Sequence, residues 1–121
     1  MKPALLLAYG AATLVHFVHN AEFIGDYPNM PPSWTRADVY VAWLGMTAVG
    51  LLGWWAWRRG HAIAGIVLFM VYATLGLDSL GHYMLAPMSA HTLMMNATIL
   101  LEVTAAALVF FEAARLLARR R

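Results

Sequence analysis

The stretch AIAGIVLFMVYATLGLDSLGHYML (residues 62–85) carries no charge from Ala62 to Leu77 and then places two ionisable residues, Asp78 and His82, near its end. It exceeds the ~20 apolar residues that cross bilayer hydrocarbon as a helix. Inside lipid a helix satisfies its own backbone, which an open sheet cannot do. Working outward, residues 3–25, 38–57 and 92–117 read the same way. Composition agrees: 62% of the 121 residues are hydrophobic and 12% charged, where a soluble domain has ~25% charged. The expected fold is all-α, a four-helix transmembrane bundle formed by residues 1–121 as one integral membrane domain.

The gaps are consistent with this division. Residues 26–34 contain Pro28, Pro31 and Pro32 and cannot continue a helix. Thr35 and Asp38 have capping-box spacing with Trp34 placed as a staple, so the second helix is expected to start there. Arg58-Arg59-Gly60 reads as a tight turn, and the last gap centres on Pro87-Met88-Ser89. Glycines such as Gly45, Gly53, Gly65, Gly76 and Gly81 are expected to let the helices approach closely.

Lys and Arg set the orientation. With the amino terminus inside, Lys2, Arg58, Arg59, Arg115, Arg119, Arg120 and Arg121 share the cytoplasmic side and Arg36 alone lies outside. The positive-inside rule therefore predicts both termini in the cytoplasm, in a bacterial inner (plasma) membrane. Trp54, Trp55 and Trp57 are expected in an inner aromatic belt, and Tyr27, Trp34, Tyr40 and Trp43 in an outer one. The net charge of +2 comes from helix ends, so the partner is the lipid bilayer and no nucleic acid is implied. The absence of cysteine excludes disulfides, thiolate zinc sites, iron–sulfur clusters and a cysteine nucleophile. No phosphate loop, dinucleotide fingerprint or nucleophile elbow occurs.

Ionisable side chains are costly in hydrocarbon, ~2.5–3.5 kcal/mol at mid-depth on insertion scales, and often mark function. Here they cluster on three segments. His16, His19 and Glu22 form H-x-x-H-x-x-E; Asp78 and His82 lie four apart; His91, Thr98 and Glu102 are separated by seven and four. Helical periodicity puts each set on one stripe, and all but Glu102 fall in the outer half. The second helix offers little beyond Thr47. A single interhelical site open to the non-cytoplasmic side is expected.

Imidazole and carboxylate ligands point first to a transition metal, zinc, iron or copper, held by His16, His19, Glu22, Asp78, His82 and His91. Methionines 30, 84, 88, 94 and 95, predicted near the outer face, would add thioethers for copper or fill gaps. Bis-histidine haem b is a further possibility, using a first-helix histidine with His82 or His91. The alternative is acid–base catalysis by Glu102 and His16 on a lipid-like small molecule. A third reading makes the chain a homo-oligomer or an accessory subunit of a larger membrane complex. His61 is expected to be solvated, and Glu112 to pair with Arg115.

The segment His19-Asn20-Ala21-Glu22-Phe23, the Pro-rich loop, Arg58-Arg59-Gly60 and Gly81-His82-Tyr83 together resemble the small four-helix integral membrane proteins named for their HxxEE motif, with Phe23 where the motif has its second Glu. That resemblance implies a four-helix layout and importance for His19 and Glu22. Asn96-Ala97-Thr98-Ile99-Leu100-Leu101-Glu102 is similar to the glutamate-bearing helix of the EXPERA sterol isomerases. The similarity implies a lipid-binding cavity and a proton-shuttling carboxylate at Glu102.

Overall fold

The computed structural model describes residues 1–120; Arg121, counted above as a topology anchor, lies outside the described residues. The chain forms α1 (Pro3–Glu22), α2 (Arg36–Arg58), α3 (Ala62–Leu77), a 3-10 turn (Asp78–Gly81), α4 (His82–Leu85), a second 3-10 turn (Met88–Ala90) and α5 (Leu93–Ala118). No strand occurs among the described residues. Four stretches are long and apolar enough to cross a membrane: α1, α2, Ala62–Leu85 and α5.

Local chemistry explains where these helices start and stop. Pro3 opens α1 in the first turn, where a missing N–H has no intrahelical partner to lose. The helix ends at Glu22, short of residue 25, because Phe23 and Asp26 close successive turns onto the His19 and Phe23 carbonyls. Asn29 then adopts φ 57, a left-handed conformation that asparagine tolerates, and its amide donates to the Leu85 carbonyl at 2.9 Å. The first loop is thereby tied to the end of α4. The capping box at α2 forms as expected: Asp38 N–H donates to Thr35 Oγ1 at 3.2 Å, and Thr35 N–H to Asp38 Oδ2 at 2.9 Å. At the other end, Gly60 (φ 85) supplies the left-handed residue of a Schellman cap. Its N–H reaches the Trp57 carbonyl, and His61 N–H reaches that of Ala56.

Packing follows the cyclic order α1–α2–α3–α5–α1. Tyr9, Ile66, Phe69, Ile99 and Val109 are fully enclosed, while Leu7, Val41, Leu51, Leu101 and Phe111 face outward. Helices apolar on both faces suit a lipid surround. Small residues set the closest approaches. A Cβ on Gly65 would stand 2.9 Å from the Trp57 backbone nitrogen and 3.0 Å from the Gly53 carbonyl oxygen. One on Gly76 would meet the ring of Tyr9 at 2.8 Å. Gly45 and Gly81 do not serve this purpose, since open space surrounds both.

Two aromatic expectations are revised. Trp43 reaches into the α1–α2 interface, where its indole N–H donates to Thr13 Oγ1 at 3.1 Å. Tyr27, only 3% exposed, belongs to the polar site and not to a belt. At the basic end, Arg58, Arg59 and Arg120 lie over the rings of Trp54, Trp55 and Trp57. His61 is exposed, and Arg115 grips Glu112 with two hydrogen bonds of 2.7 and 2.8 Å.

Candidate functional site

Thr98 and Glu102 occupy successive turns of one α5 stripe, and both are buried. Glu102 lies about 14 Å along α5 from its start at ~1.5 Å per residue. Opposite them α1 presents His16, 1% exposed. The third component comes from the 3-10 turn Asp78–Gly81, which winds more tightly than the α-helix around it. Ser79 is buried there, and its hydroxyl donates to Glu102 Oε2, while Asp78 is turned outward.

The hydrogen bonds around Thr98 favour one tautomer of His16. Thr98 donates to the Met95 carbonyl at 3.1 Å, so its oxygen accepts from His16 Nδ1, 3.2 Å away. The other ring nitrogen, Nε2, then carries the lone pair and faces Glu102 Oε2 at 3.7 Å. An ionised Glu102 would set its charge against that ring nitrogen in a closed apolar interior, an arrangement that favours a proton on one member of the pair. Among the described residues Glu102 Oε1 has no hydrogen-bond partner.

A second tier lies above this pair. The His82 ring sits 5.4 Å from that of His16, 5.0 Å from that of Tyr27 and 6.3 Å from that of His91, centroid to centroid. Asn20 Nδ2 donates to His82 Nε2 at 3.0 Å. Burial pushes the Tyr27 phenol up to about 12, so Tyr27 stays protonated and donates to His19 Nδ1 at 2.8 Å. His91 Nδ1–H donates to the Pro87 carbonyl at 2.9 Å, and its Nε2 is buried without a partner among the described residues. Beside both tiers lies a cavity of about 350 Å³, whose wall includes His16, Ser79 and His82 with the apolar Trp34, Met46 and Leu75. Ser79 and His16 stand between Glu102 and that space.

The three-helix cluster is thus assembled around His16, His82, His91 and Glu102, but not with the expected membership. Glu22 lies about 120° round α1 from His16 at ~100° per residue. It pairs instead with Arg36 at 2.8 Å and accepts from Tyr40 at 2.6 Å. Asp78 is exposed at the cavity rim. His19 is half-buried and engaged by Tyr27, with its ring stacked on Phe23. The six-residue ligand set is therefore not gathered at one point: among the described residues no three such side chains stand close enough to hold a metal ion. Met84, Met88 and Met94 are exposed, and Met95 packs in the core with its sulfur on the Thr92 N–H. Asn96 lies off the Thr98–Glu102 stripe and ties Tyr83 and the Met88 carbonyl to α5.

Sequence reasoning missed Ser79 and Tyr27. Ser79 is displaced from the periodicity of its helix by the 3-10 turn, for which flanking Gly76 and Gly81 were the available signal. Tyr27 has the ordinary appearance of an interfacial aromatic. Compared with known proteins, the chain matches no family model, no curated protein and no solved structure.

Proposed function

We propose that this chain is a membrane-embedded acid–base catalyst acting on a small lipophilic molecule, with Glu102 and His16 as the proton-holding pair and Ser79 as the group that carries the proton to the cavity. The observation that carries the reading is the state of Glu102. It is fully enclosed, and its Oε2 accepts from Ser79 and faces His16. An ionisable group enclosed among membrane-spanning helices is costly to keep and often marks function.

The chemistry follows from the order of groups. A substrate in the 350 Å³ cavity meets Ser79 directly and Glu102 only through it. As a proton leaves the substrate for Ser79 Oγ, the serine proton passes to Glu102 Oε2 and the proton already held by the pair moves onto His16 Nε2, so the negative charge left on the substrate is matched by the imidazolium. Reversing the relay returns a proton to a different atom of the substrate, which is an isomerisation. Asn20 and His82 supply polar groups for a substrate oxygen, while Trp34, Met46 and Leu75 favour an apolar body. The same reading places the basic end in the cytoplasm of a bacterial plasma membrane and the cavity toward the opposite side.

The test uses a probe of proton abstraction: hydrogen–deuterium exchange alpha to the carbonyl of a lipophilic cyclic enone, followed by mass spectrometry in D2O with protein in lipid nanodiscs. General acid–base groups contribute ~10²–10⁴-fold, so Glu102→Gln and Ser79→Ala should each remove the catalysed exchange while the circular dichroism spectrum stays helical. Exchange that persists in Glu102→Gln refutes the assignment.

A second reading has one observation in its favour. His91 is oriented through Nδ1 onto a backbone carbonyl, which is how metal-ligating histidines are usually held, and its Nε2 is free. Stoichiometric zinc, iron or copper in purified protein, lost in His91→Ala, would support metal binding over metal-free catalysis.

A further inference from the structure

A groove of about 580 Å³ runs along the opposite half of the bundle, between α1 and α2. Its walls are Pro3, Leu7 and Leu14 of α1 and Leu51 and Trp54 of α2, with Tyr72 of α3 as the floor. Thr47 is the one hydroxyl-bearing aliphatic residue in the wall. From Pro3 to Leu14 the groove extends about 17 Å at ~1.5 Å per residue. That is close to one leaflet of a hydrocarbon core ~30 Å thick.

Its two ends differ. At mid-depth the Trp43 indole donates across to Thr13 at 3.1 Å and bridges the helices, so the groove is blind there. At the other end it opens where Lys2 precedes Pro3 and where the Arg58 guanidinium lies over Trp54, 5.9 Å from the ring centroid. The stacking keeps a cation beside the Trp54 end of the groove. Arg58 and Lys2 are both exposed.

We infer that this groove is a binding site for one anionic phospholipid, with an acyl chain lying between α1 and α2 and the phosphate held at the basic mouth by Arg58 and Lys2. Blind closure at mid-depth favours a single chain entering from one leaflet. A helix from a second copy would need a groove running the full length of the bundle. The positive mouth selects the headgroup, since each basic residue near the surface adds about 1 kcal/mol toward anionic lipid, or about fivefold in affinity. The site is separate from the His16–Glu102 cavity and does not depend on its function.

The test is native mass spectrometry of the full chain, titrated with phosphatidylglycerol and with phosphatidylcholine carrying the same chains. One phosphatidylglycerol should bind per protein, preferred at least ~fivefold over phosphatidylcholine. Ala11→Phe, which fills the groove from an exposed position, should remove binding of both lipids. Leu7→Trp does the same from a second exposed position and serves if the first variant does not fold. Arg58→Gln should keep phosphatidylcholine binding and lose about fivefold for phosphatidylglycerol. Equal affinity for the two lipids in the wild type, or unchanged binding in the groove-filling variants, overturns the inference. So does a dimer that only those variants dissociate, because the groove would then hold a second copy.

Discussion

Replacing Gly76 by alanine tests how α1 locks onto α3. The added methyl would stand 2.8 Å from Cε2 and Cζ of Tyr9 and nearer still to its hydroxyl. Tyr9 cannot simply move aside. It is fully buried, its ring lies 4.5 Å from that of Tyr72, and its hydroxyl donates to the Tyr72 carbonyl at 2.7 Å. Forcing a methyl into such a contact costs ~1–3 kcal/mol, and loss of the hydrogen bond adds ~0.5–1.5 kcal/mol. Alanine returns ~1 kcal/mol through its helix propensity. The net expectation is a destabilisation of about 0.5–3.5 kcal/mol. Reversible unfolding in mixed micelles, followed by circular dichroism, measures it. A cycle with Tyr9→Leu makes the test specific: the double variant should be more stable than the sum of the singles predicts, by ~1 kcal/mol or more. If Gly76→Ala is neutral or stabilising, as propensity alone requires, Tyr9 does not pack against Gly76 and the α1–α3 contact is wrong.

Gly60→Val should destabilise the α2–α3 turn by ~1–2 kcal/mol in the same unfolding assay, because the Schellman cap needs a left-handed residue there. Glu22→Gln should leave the deuterium exchange of the cyclic enone at the wild-type rate, since Glu22 faces Arg36 and Tyr40 and not the cavity; a loss matching that of Glu102→Gln would place Glu22 in the machinery. Reporter fusions at Gly60 and at Asn29 should report cytoplasm and exterior respectively; the reverse pattern would contradict the orientation drawn from the basic residues.

The layout of the fold was legible because lipid imposes a simple rule on sequence. Four long apolar runs, three prolines in one gap and Arg58-Arg59-Gly60 in another left little choice, and the Thr35–Asp38 capping box marked the start of α2 to within a residue or two. The α5 part of the site was equally readable, since Thr98 and Glu102 lie one turn apart on one unbroken helix; His91 lies before that helix, in extended backbone that follows the second 3-10 turn. Legibility failed where helices end or change pitch. Glu22 sits in the last turn of α1, where an exposed arginine from the next helix captures it. Asp78 leaves the site and Ser79 enters it because a 3-10 turn advances the chain by ~120° per residue instead of ~100°. Tyr27 entered the site through a loop whose path, set by Asn29 binding the Leu85 carbonyl, has no periodic signature.

The central claim is that His16 and Glu102 meet inside the bundle and hold one proton between them. Solid-state NMR of protein labelled with 15N at His16 and 13C at Glu102, in lipid, tests it most directly. The account predicts a protonated Nδ1 on His16, a dipolar cross-peak between Nε2 and the Glu102 carboxyl carbon, and a shift of Nε2 when Ser79 is replaced by alanine. A His16 ring protonated on Nε2 alone, with no cross-peak to Glu102, would contradict it.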